Sequence, residues 1–208
     1  MPLHPRDELV AILARHPVGL GLVHGGLDVS IQEVAARWVS SHPDLTELHG
    51  GVWAGDVRAL LLKFLECQEF ENSSLNAAIG PNCQVLLYDN EGVQQAIVRK
   101  HPRNYETGEL LPVSEFPDNT LWGPDYSSAG WEPYIFWEAN LKTQVLGNAW
   151  IAAAANMDSP SKTVIYAKRE LPLAIFPAVT SALPDDKNDG WDHEFPQSGE
   201  GGAPTDSA

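Results

Sequence analysis

Near residue 83 the spacing of apolar side chains changes from a helical to a strand period, and this switch decides the fold class. Before it, Leu9, Ile12 and Leu13 share one helical face, and Pro5 suits a first helical turn. His16-Pro17 closes that segment, because a residue before proline avoids the α region. A second helix is predicted from Ser30, which has capping-box spacing to Glu33 and is followed by Ile31, Val34, Ala35, Trp38 and Val39 on one face. It should end near His42-Pro43. A third helix is expected to start at Asp56 as N-cap, with Val57, Leu60, Leu61, Phe64 and Leu65 facing inward.

After the switch the apolar runs are short. Residues 84–88 and 93–100 flank Asp89-Asn90-Glu91-Gly92, a linker that reads as the turn of a β-hairpin. Residues 102–133 are rich in proline and keep no period, which predicts a long ordered loop carrying Trp122, Tyr126 and Trp131. From Tyr134 to Leu141 the pattern alternates as a strand does, with Ile135, Trp137 and Ala139 on one side and Tyr134, Phe136 and Glu138 on the other. Residues 148–156 and 162–170 form a second predicted hairpin around Met157 to Ser161, although alanines 152–155 fit a helix equally well. The expected fold is therefore α+β, with N-terminal helices packed on a mostly antiparallel β-sheet. One domain should span residues 1–183, helical over 1–71 and β-rich over 83–183, followed by a disordered acidic tail over 184–208.

Composition narrows what such a domain does. Apolar residues make up 43% of the chain, enough to build a core. The net charge is −15, and it is unevenly spread: residues 184–208 alone hold seven acidic side chains against one basic. A field of that sign repels phosphate backbones and attracts basic proteins, so a basic protein is the expected partner and nucleic acid is not. The first residues lack the pattern of a secretory signal, and Val145 to Ala155 is too short to cross a bilayer. A soluble cytoplasmic protein with no membrane partner is expected. Cys67 and Cys83 belong to no Cys-x-x-Cys pair and read as free thiols.

Candidate chemistry is sparse. His24-Gly25-Gly26 and His49-Gly50-Gly51 each precede a predicted helix and read as glycine-rich connectors. None of the seven histidines has metal-ligand spacing, so no metal or other cofactor is expected. Arg99-Lys100-His101-Pro102-Arg103 is the one basic cluster in the chain, and its arginines could receive a carboxylate or phosphate through bidentate hydrogen bonds. Trp122, Tyr126, Trp131, Tyr134 and Trp137 follow at high density, as in a recognition surface or a core plug under a loop. Asp125, Glu132 and Glu138 are the nearby carboxylates, with Glu138 and Asp125 the candidates for general acid or base work.

Two functions are compatible with these residues. In the first, the chain is an acidic binding protein that engages a basic protein partner, as a neutralising or adaptor protein does. In the second, it is a small enzyme or ligand-binding protein whose pocket is lined by Trp122, Tyr126, Trp131 and Trp137. Arg99 or Arg103 then anchors an anionic small molecule.

Overall fold

The computed structural model describes residues 4–41, 50–81, 84–104, 106–114, 130–140 and 145–173, all within one compact unit. The expectations placed on Trp122, Asp125, Tyr126, Cys83 and residues 184–208 fall outside them.

Among the described residues, three helices and a short fourth one precede a sheet: α1 (Pro5–Arg15), α2 (Pro17–Ser41), α3 (Gly50–Leu65) and α4 (Gln68–Glu71). The sheet has six strands in chain order: β1 (Leu75–Ile79), β2 (Val85–Asp89), β3 (Gln94–Lys100), β4 (Glu132–Asn140), β5 (Val145–Ala155) and β6 (Val164–Glu170). Every neighbouring pair is antiparallel except β3 and β4. That parallel pair needs a long crossover, which is why the proline-rich stretch lies between those two strands.

Pro5 sits in the first turn of α1, and the His4 ring caps it by accepting from the Arg6 N–H at 3.1 Å. Leu9 and Ile12 are buried as their spacing requires. Beyond His16 the helices depart from expectation. Helix α2 begins at Pro17 and runs through His24-Gly25-Gly26, so that motif is helix interior and not a connector. Ser30 is likewise buried inside α2 and is not an N-cap.

The cause is packing between α2 and α3. A Cβ at Gly26 would come within 2.6 Å of Phe64 and 2.8 Å of Leu61, both on α3. Glycine costs about 1 kcal/mol of helix propensity there, and the close approach of the two helices outweighs it. Helix α3 starts at Gly50, six residues before Asp56, and the Asp56 carboxylate accepts a hydrogen bond from Trp38 Nε1 of α2 at 3.0 Å.

The β2–β3 hairpin forms as predicted. Asp89 Oδ1 accepts from the Glu91 and Val93 N–H groups at 3.0 and 2.8 Å, and Gly92 takes the left-handed conformation (φ 80°). Strand β5 takes up the alanine run, because Ala149, Ala152, Ala153, Ala154 and Ala155 let neighbouring layers approach closely. Helices α1 and α2 both pack on β5. Strand β1 carries no strand signal in the sequence; pairing with β2 from Leu75↔Asp89 to Ile79↔Val85 imposes it.

The sheet buries both faces over its centre. On one, Trp137 is 0% exposed and its ring lies 5.5 Å from Trp53 of α3, so this face is the helical one. On the other, Leu86, Ile97, Tyr134, Phe136, Trp150, Ala152, Ala154 and Ile165 form a second cluster, with Leu110 and Leu111 of the crossover packed against it. Each large side chain buried this way contributes about 1.5–3 kcal/mol. Among the described residues no single helix is long and apolar enough to cross a membrane.

Candidate functional site

The end of β3 and the middle of β4 bring the basic cluster to the aromatics, and strand alternation then divides it. Parallel pairing sets Arg99 beside Phe136 and Lys100 beside Trp137, so the two cations point to opposite faces. Lys100 Nζ lies 5.5 Å from the Trp53 ring on the helical side, and burial lowers its pKa. Arg99 reaches Asp158 at 3.7 Å on the other face, where Asp158 is 95% exposed and the pair contributes little.

Arg103 and Glu138, thirty-five residues apart, are brought together. Arg103 Nη2 donates to Glu138 Oε1 at 2.8 Å, and its Nη1 donates to the Gly108 carbonyl at 2.8 Å. The guanidinium that was to anchor an anion is thus engaged by a carboxylate of the same site. The Glu138 carboxylate, the candidate for proton transfer, is held by the same pair. Trp137 lies in the core under the helices, away from any pocket on the aromatic face. Trp131 is half-buried at the start of β4.

Around this pair the structure gathers His101 and Tyr134 from the two sequence clusters and adds Trp150 and Lys168, which local sequence signals did not mark. His101 is 3% exposed, with its ring 5.2 Å from Phe136 and 5.1 Å from Trp150. Its Nδ1–H donates to the Pro102 carbonyl at 2.8 Å, while Nε2 is buried without a hydrogen-bond partner. Burial first, and nearby Lys168 and Arg103 after it, hold its pKa below the usual histidine value. Lys168 Nζ stands 4.1 Å from the Trp150 ring centroid, a cation–π contact of about 0.5–2 kcal/mol. Tyr134 stacks on Phe136 at 5.5 Å and donates to Glu132 at 3.0 Å. His101 was visible only as a member of the basic cluster, and Trp150 only as part of an apolar run.

A cleft of about 190 Å³ lies elsewhere, where α3, α4 and β1 meet. Leu62, Leu65, Phe70 and Ala77 form its apolar walls, and Glu66, Glu71 and Asn76 supply its polar lining. It is smaller than the roughly 300–1,000 Å³ typical of small-molecule pockets. Both glutamates are exposed, and neither is ion-paired with a described residue. No local sequence pattern marks the cleft, because its walls come from three elements. Among the described residues no group of three or more His, Cys, Asp and Glu could hold a metal ion.

The architecture defines an α+β protein with helices on one face of a mostly antiparallel sheet. No protein-family model matches the chain, and neither a curated protein nor a solved structure matches it.

Proposed function

We propose that this is an acidic, cytoplasmic binding protein that engages a basic protein partner, as neutralising or adaptor proteins do. The observation that carries the reading is the internal engagement of the sheet's cations. Arg99 faces Asp158, Arg103 is paired with Glu138, and Lys100 and Lys168 lie over tryptophan rings. With those cations contributing to internal contacts and a net charge of −15, the long-range field favours a basic partner and steers its approach.

Affinity purification of the full chain from its native host, at low and moderate salt, tests this. A stoichiometric basic protein that dissociates as salt rises is the expected result. Recovery of the chain alone, or with acidic proteins only, would count against it.

One observation favours the second reading, a small enzyme or a binder of an anionic small molecule. The cations Arg103 and Lys168, which suit an anion, lie near His101, whose buried Nε2 has no hydrogen-bond partner among the described residues and can accept from a ligand hydroxyl. Under that reading, Arg103→Gln and His101→Phe each abolish ligand-induced thermal stabilisation by the anionic compounds that stabilise the parent chain. A screen in which no anion raises the melting temperature removes it.

A further inference from the structure

Among the described strands β1 ends the sheet, and the side that faces away from β2 can be read from the hydrogen-bond register. The Asp89 N–H donates to Val93, toward β3, so the alternate residues Tyr88, Leu86 and Gln84 turn their backbone groups toward β1. Their partners Asn76, Ala78 and Gly80 are thereby satisfied, and the Gly80 N–H donates to the Gln84 carbonyl at 2.8 Å. Leu75, Ala77 and Ile79 face outward. Ser73 Oγ takes the Leu75 N–H at 3.2 Å, which leaves the amides and carbonyls of Ala77 and Ile79 without a described partner.

Sheet edges are ordinarily guarded by charge, proline or a covering segment. Strand β1 reads Leu-Asn-Ala-Ala-Ile and carries no charge or proline, and Ile79 is 70% exposed. Beside this edge lies the cleft, with Ala77 shared between the two. A strand added along β1 would place the side chain opposite Ala77 on the helical face, at the mouth of the cleft. The aliphatic walls suit the stem of a long side chain, and the Glu66 and Glu71 carboxylates suit a cationic end. Both glutamates follow the C-terminus of α3, whose carbonyl dipoles also favour positive charge.

We infer that β1 and its neighbouring cleft form a docking site for an extended, Lys- or Arg-bearing segment of a partner protein, which adds to the sheet as a seventh strand. This rests on the basic-partner reading above and names the surface and mode of that contact.

The test uses the full chain and a fluorescein-labelled peptide, acetyl-Thr-Val-Thr-Arg-Thr-Val-Thr-amide, followed by anisotropy at two salt concentrations. Binding that weakens at least tenfold when Arg is replaced by Glu is expected, as is a comparable loss in the Glu66→Gln/Glu71→Gln double variant. Ala77→Pro blocks the edge without removing a bond to β2, and Ile79→Lys places a guarding charge at an exposed position. Each should abolish peptide binding with little change in melting temperature; the second serves should the first fail to fold. Equal binding of the Arg and Glu peptides, or of parent and Ile79→Lys, would overturn the proposal. So would a dimer of the parent that Ile79→Lys dissociates, since it would assign the edge to a second copy of the chain. A basic protein that co-purifies equally with parent and Ile79→Lys would overturn the edge while leaving the basic-partner reading intact.

Discussion

The two edges of this sheet are protected differently. Strand β6 carries Lys168, Arg169 and Glu170, and the crossover reaches it: Val113 bridges to Ile165, and the Ser114 N–H donates to the Ile165 carbonyl at 2.7 Å. Among the described residues strand β1 has neither device, and an acid-rimmed cleft opens beside it. An edge left unguarded invites a strand from another chain. The contrast teaches that edge strands need separate readings even within one sheet, and that the uncharged edge is where recognition is to be sought.

Substitutions can calibrate the contrast. The largest effect is expected at the sheet's centre, where Trp137→Ala should cost about 3–5 kcal/mol of unfolding free energy in urea titrations. A much smaller cost would mean that the helical face is looser than Trp53 and Trp137 make it. At β1 itself, Ala78→Pro orphans an inward-facing bond to Leu86 and should cost about 1–3 kcal/mol. Ala77→Pro removes no bond to β2 and should cost less than Ala78→Pro. Reversal of that order would show that the free side of β1 has been assigned wrongly.

The pH response separates the regions in another way. His16 accompanies β1, its Nδ1 lying 2.7 Å from Ser74 Oγ, whereas His101 sits against Phe136 and Trp150. Desolvation lowers the pKa of both, so the unfolded chain binds more protons than the folded one below the ordinary histidine value near 6.5. Stability should therefore fall as pH drops below about 6.5 and level off once pH passes below the depressed folded values. Melting temperatures measured from pH 7.5 to 5 check this, and His101→Phe should flatten the curve. The smallest effect is expected at Ile79→Ala, within about 0.5 kcal/mol, because the side chain is already in solvent.

Much of the fold was legible where periodicity is strong. Leu9 and Ile12 in α1, the Asp89–Gly92 turn and the alternation of β4 all follow from local rules. The first half of α2 and strand β1 were not legible. Gly25 and Gly26 signal a connector until α3 is seen packed against Gly26, and Leu75 to Ile79 become a strand only through β2. The candidate site was half legible: Arg103 and Glu138 do meet, but as partners in one ion pair and not as an anchor and a separate acid. Glu66 and Glu71 gain meaning only when Phe70 and Ala77 are placed beside them.

Amide hydrogen exchange of the full chain, with and without the arginine peptide, tests the β1 site most directly. The site predicts that the Ala77 and Ile79 amides exchange fast alone and become protected on binding, while Ala78, already bonded to β2, changes little. Unaltered exchange at Ala77 and Ile79 under saturating peptide would contradict it.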